Sequence, residues 1–88
     1  MAVYMVSYDL NKSGQDYKGL YEELKNSPVW WHYLDSTWLI KTNETVVQLW
    51  ERIEPHIDSN DRCLVIPVSK PYSGWMTEEA WNWLDQNI

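Results

Sequence analysis

Three residues have side chains that could take part in polar catalysis, and an excess of aromatic rings could bind something. Asp9 closes a Val- and Tyr-rich segment, Ala2 to Asp9, that reads as a strand. A carboxylate at a strand end can stand at a cleft, offering oxygen ligands to a hard cation such as Mg²⁺. The structural alternative is that it bonds loop N–H groups or caps the next segment. His32 lies among Trp30, Trp31 and Tyr33. An imidazole there could serve as a general base or a switch near neutral pH. A ring packed on a strand, with one nitrogen bonded, is the alternative, and no second His or Cys lies at ligand spacing. Cys63 is the single cysteine. It sits inside an apolar run, where a cysteine acts as a small core residue, and it excludes an internal disulfide. His56 follows a helix-ending proline and is expected to be exposed. Asp35-Ser36 reads first as a hairpin turn. No Gly-rich phosphate loop and no serine triad is visible.

The rings are the anomaly. There are seven Trp and six Tyr in 88 residues and no Phe. Each ring therefore carries an N–H or O–H that needs a partner or water. A chain of this length buries only about 60–65% of its unfolded surface, so some rings belong at an interface or ligand site. Trp38 and Trp50 fall on apolar stripes and are assigned to the core. Trp30, Trp31, Tyr33, Trp75, Trp81 and Trp83 are the candidate binding or interface residues. They could anchor a protein, build a dimer contact or stack on bases.

The elements that position these residues follow from periodicity. After the first strand, Asn11 to Gly14 is a polar loop, and Ser13 with Asp16 resembles a capping box. Tyr17, Leu20, Tyr21 and Leu24 form a helical stripe that ends at Asn26-Ser27-Pro28. Trp30–Leu34 and Thr37–Lys41 read as a hairpin, with one long bulged strand as the alternative. A second helix, starting at Thr42 or Asn43, carries the stripe Val46, Leu49, Trp50 and Ile53 and stops at Pro55. Asp58 to Asp61 is a turn. It lacks the Gly and the terminal Glu of a calcium loop. Cys63–Val68 is a last strand, and Pro67 suits an edge. Thr77 caps a tail helix with Ala80, Trp81, Leu84 and Ile88 on one stripe.

The order strand, helix, strand, strand, helix, strand predicts an α+β, ferredoxin-like βαββαβ sandwich over residues 1–69. A C-terminal extension, 70–88, adds a short helix. Two helices cover one sheet face, and the other face is expected to be bare. The apolar residues on both sides of the first and last strands ask for a cover. A second subunit, packed sheet to sheet, is the simplest one. The tail helix is expected over a sheet edge or on that partner.

On these residues the chain resembles a known group. Val6 to Leu10, Tyr33 to Trp38 and Asp61 to Ile66 look like the strands of the small CRISPR-associated adaptation protein (Cas-two) and of VapD-type ribonucleases. Ser7–Asn11, Trp30–Ile40 and Asp58–Asp61 resemble short bacterial and phage proteins labelled "SinR family". The resemblance implies a ferredoxin-like homodimer. In nuclease members, the Asp ending the first strand approaches its symmetry mate and binds a divalent cation. Asp9 alone carries that role over.

Charge weighs against nucleic acid. Thirteen acidic against seven basic residues give a net charge of −6, which repels phosphate backbones. No signal peptide and no membrane-spanning apolar run is visible, so a cytoplasmic protein is expected. The leading expectation is a homodimeric, non-catalytic binding or regulatory module, such as a protein partner in a phage, defence or toxin–antitoxin system. The alternative is a Mg²⁺-dependent nuclease using Asp9 from both subunits. A third reading is binding of a small nucleotide on the aromatic face.

Overall fold

The computed structural model describes residues 1–10 and 17–88. The Asn11–Gly14 loop and the Ser13/Asp16 capping box expected from the sequence lie outside the described residues. The elements are β1 (Ala2–Asp9), α1 (Lys18–Lys25), β2 (Val29–Leu34), β3 (Thr37–Thr42), α2 (Val46–Ile53), β4 (Arg62–Pro67) and α3 (Glu78–Asn87). A 3₁₀ turn, Glu54–His56, follows α2. The strands form one antiparallel sheet in the order β2-β3-β1-β4. This is the ferredoxin-like arrangement, with a further helix at the C-terminus.

Alternation along β1 divides its side chains between two cores. Tyr4, Val6 and Tyr8 face α1 and α2, where Trp38, Ile40, Leu20, Leu24, Leu49 and Ile53 complete a buried cluster. Val3 faces the opposite side, where Trp31, Leu39, Ala80 and Leu84 form a second cluster. The second sheet face is therefore covered over β2, β3 and part of β1, where the sequence expectation had it bare, and stays open at β4. The tail helix α3 packs on that face within its own chain, over the half of the sheet that ends in edge strand β2, as one of the two expected placements had it. Its Ala80 and Leu84 are buried against residues of β1, β2 and β3.

Local chemistry sets the helix bounds. The second helix starts later than expected. Thr45 is its N-cap, accepting from the Gln48 N–H while the Gln48 side chain accepts from the Thr45 N–H. That reciprocal pair satisfies two of the first-turn donors, which Thr42 or Asn43 could not have done in this frame. Pro55 falls in the 3₁₀ turn, where its missing N–H ends the α-helical ladder. Thr77 caps α3 by accepting from the Ala80 N–H, and Glu78 and Glu79 occupy the first turn. Gly19 sits where α1 passes His56; a Cβ there would lie 2.9 Å from the ring's Nδ1. His56, expected to be exposed, is accordingly half-buried, with Nε2 3.9 Å from Glu23 Oε2.

Candidate functional site

The aromatic residues resolve into two groups on opposite sides of the sheet. On the α1/α2 side, Trp38 is the hub and only 1% exposed. Its indole N–H donates to the Tyr8 hydroxyl at 3.0 Å. Tyr21 stacks on it, with ring centroids 6.4 Å apart. His32 stacks closely on its face, 3.8 Å between centroids and 14° between planes. Trp30 leans on it at 5.3 Å, and Lys25 Nζ lies 5.9 Å from the Trp30 ring. Burial pushes the Tyr8 hydroxyl pKa up, although the Trp38 bond opposes the shift. Both polar tips at the centre of this cluster thus have a partner, as buried aromatics require.

His32 is fixed by this arrangement. Its Nε2 lies 3.2 Å from the Asp35 carbonyl oxygen. A carbonyl only accepts, so Nε2 carries a proton, and in the neutral ring Nδ1 holds the lone pair. Asp35 and Ser36 form the turn of the β2–β3 hairpin, as the sequence indicates. The register shifts between Trp31 and Leu34. This irregularity turns the end of β2 and leaves Tyr33 against Trp31, 5.2 Å between centroids.

On the opposite side, Trp31 is 4% exposed and its indole N–H is buried without a partner. Trp81 and Trp83 are half-buried around the α3 cluster. Tyr72 stacks on Trp81 at 5.8 Å and donates a 2.5 Å hydrogen bond to Asp85. Trp75, by contrast, is 100% exposed, and Trp30 is partly so. The six candidate binding residues therefore do not form one site. Trp30 belongs to the Trp38 cluster, and Trp31, Tyr33, Trp81 and Trp83 to the α3 side. Trp75 stands alone on the segment before α3. Trp50, expected in the core, is half-buried and packs against the α1/α2 cluster.

Asp9 ends β1 on the face that α3 occupies elsewhere, and it is exposed. Arg62 faces it across the β1–β4 ladder. The Arg62 guanidinium donates to the carbonyls of Ser59 and Asp61. Among the described residues no group of three or more His, Cys, Asp and Glu comes together in a way that could hold a metal. Cys63 stands on the α1/α2 side, half-buried, and burial pushes its thiol up to about 11. Such a thiol is almost wholly protonated at neutral pH and a poor nucleophile.

Two polar constellations escaped the sequence reading. Arg52 of α2 donates to both oxygens of Glu44, to the Glu23 carboxylate and carbonyl, and to the Ser27 hydroxyl. It ties α2 to the end of α1 and to the loop after β3. Asp61 is buried and accepts from the Tyr17 hydroxyl at 2.7 Å and from the Asp58 N–H. The bonds of Arg52 to Glu23 and Ser27, and of Asp61 to Tyr17, join residues far apart in sequence, so no short motif could have shown them.

The open part of the sheet is the remaining candidate surface. Leu64 and Ile66 of β4 point to the α3 side but beyond its reach, and are 56% and 36% exposed. Met5 of the neighbouring strand lies opposite Ile66 and is half-buried. β4 is an edge strand. No protein-family model and no solved structure matches this chain. Among the described residues no helix is long and apolar enough to cross a membrane.

Proposed function

We propose that the protein is a homodimeric, non-catalytic binding or regulatory module that pairs through the open half of its sheet. The observation that carries this reading is the Leu64/Ile66 patch on edge strand β4, continuous with Met5 and left uncovered by α3. An apolar strip on an unpaired edge is a liability in a monomer and an asset in a self-complementary contact. Charge supports association with a protein surface over a phosphate backbone, because the chain carries −6. Sedimentation equilibrium tests it. The wild type is expected to be dimeric at micromolar concentration and Leu64→Lys/Ile66→Lys monomeric with unchanged far-UV dichroism. A wild type that stays monomeric into the hundred-micromolar range refutes the proposal.

A second reading rests on the position of Asp9. It is exposed at the end of a central strand, on the same face as the Leu64 patch. A two-fold contact through that face would bring two Asp9 carboxylates to one side of the dimer, where they could share a divalent cation and activate water for phosphodiester cleavage. The test is Mg²⁺-dependent cleavage of RNA and DNA by the purified protein, lost in Asp9→Asn. Cleavage that Asp9→Asn does not affect removes this reading, and cleavage that it abolishes displaces the non-catalytic one.

A further inference from the structure

Strand β4 ends the sheet, so one row of its backbone groups has no strand beside it. The Val68 N–H donates to the Val3 carbonyl at 2.9 Å. By alternation, Arg62, Leu64 and Ile66 also turn their N–H and C=O groups to β1. Cys63, Val65 and Pro67 turn theirs outward. This outer row is bounded at both ends. The Asp61 carbonyl already accepts from Arg62, and Pro67 has no N–H to give. What remains is the N–H and C=O of Cys63, the N–H and C=O of Val65, and the C=O of Pro67. A groove runs beside the row, with Cys63 and Val65 as its strand wall and Val46, Val47 and Trp50 of α2 as its helix wall. Glu51 and Glu54 lie one and two turns beyond Val47 on the same side of the helix, and both are exposed. Glu54 lines the continuation of the groove past Trp50 and Cys63. Among the described residues no cation pairs with either carboxylate. The Arg62 guanidinium, at the same end, is engaged by the Ser59 and Asp61 carbonyls.

We propose that the β4 edge receives an extended, basic segment of a partner protein as an added strand. The segment runs antiparallel to β4, as every strand pair in this sheet does. Its side chains opposite Cys63 and Val65 then point to the α2 side. Small β-branched residues there fill the apolar groove, and a Lys or Arg beyond them meets Glu51 and Glu54. Backbone bonds supply the affinity, and the carboxylates select the charge. A second copy fits less well. Pairing β4 with itself across a two-fold axis would set the acidic flanks of both α2 helices against each other. The outer row lies in the plane of the sheet, so the proposal does not rest on face-to-face dimerisation through Leu64 and Ile66.

The probe is the peptide acetyl-Lys-Thr-Val-Thr-Val-Thr-Lys-amide, whose Lys and Val side chains share one face. It is titrated into the full chain, labelled with ¹⁵N, and followed by the backbone amide resonances. Saturable binding is expected, with the largest downfield shifts at the Cys63 and Val65 N–H. N-methylation of both peptide Val residues removes the donors that face β4, and is expected to weaken binding at least about tenfold. N-methylation of the central Thr, whose N–H faces away, is expected to change it by less than about twofold. Replacing both peptide Lys by Glu is expected to weaken binding about tenfold at low salt. Glu51→Gln/Glu54→Gln, which alters only exposed side chains, is expected to erase that preference and keep the N-methyl effect. The proposal fails if the probe does not saturate, if the two N-methylated peptides bind alike, or if the Glu peptide binds as well as the Lys peptide. It also fails if the preference for Lys survives in Glu51→Gln/Glu54→Gln. Cys63 and Val65 amide resonances that move on dilution without peptide would mean that a second copy pairs with the edge, which overturns it too.

Discussion

Arg52 satisfies three segments with one guanidinium. Burial opposes its charge, but the bonds to Glu44 and Glu23 outweigh that and hold its pKa above the ordinary value. The side chain is about a quarter exposed, so the ion pairs to Glu44 (2.9 Å) and Glu23 (3.0 Å) are partly screened. Removing it leaves two carboxylates and the Ser27 hydroxyl short of their donor. Arg52→Ala is expected to lower unfolding free energy by about 2 kcal/mol in urea titrations. Arg52→Lys should recover only part of that, since an ammonium cannot reproduce the fork that grips Glu44. Cys63 tests burial at the same scale. Its thiol is pushed from 9.0 up to about 11, so the native protein holds about a hundredfold less thiolate than the unfolded chain at neutral pH. Iodoacetamide should therefore alkylate the folded protein about a hundredfold more slowly than the urea-unfolded one. The unfolded thiol ionises first as pH rises, so the native state binds more protons between about pH 9 and 11. Stability contributed by the neutral buried thiol is present below pH 9 and is lost through that window. Cys63→Ser should flatten that part of the stability curve.

At the scale of elements, the strand and helix order follows from local periodicity, and the sheet order from the rules of connection. Leu20 and Leu24, or Leu49 and Ile53, sit at spacings that permit only one buried face. The start of α2 was less legible because Thr42, Asn43 and Thr45 all suit an N-cap. Gln48 decides among them, because only Thr45 stands three residues before it. Thr45→Ala is expected to cost about 1 kcal/mol, read as a lower thermal midpoint, with the fold retained. The docking of α3 was legible only as a choice between a sheet edge and a partner, and the half of the sheet ending in β2 is where it lies. Its stripe shows that Ala80 and Leu84 want burial, but not on which surface. The sequence names the aromatic residues but does not group them. That Trp30 and His32 join Trp38, while Trp31 turns to α3, depends on strand alternation and on the register shift beyond Trp31. Leu84 is buried in the α3 core, and Leu84→Ala should cost about 2–4 kcal/mol and raise the fluorescence response of Trp31 to soluble quenchers.

For the whole molecule, charge makes the proposed dimer distinguishable from a nucleic-acid complex by one variable. Each copy carries −6, so two copies repel at every distance that exceeds contact. The attraction in the proposed contact comes from Leu64, Ile66 and Met5, which salt does not weaken. The repulsion is long-ranged, and the screening length shrinks from about 30 Å at 0.01 M salt to about 8 Å at 0.15 M. Dimerisation should therefore tighten several-fold over that range. Binding to a phosphate backbone would run the other way, because it releases counterions and weakens as salt is added. Sedimentation equilibrium at the two ionic strengths, with and without a single-stranded oligonucleotide, gives both slopes. Tighter self-association and no salt-sensitive oligonucleotide complex is the expected outcome. A dimer that loosens as salt rises would mean that ion pairs, not the β4 patch, hold the copies together. In that case Leu64→Lys/Ile66→Lys would leave the dimer intact.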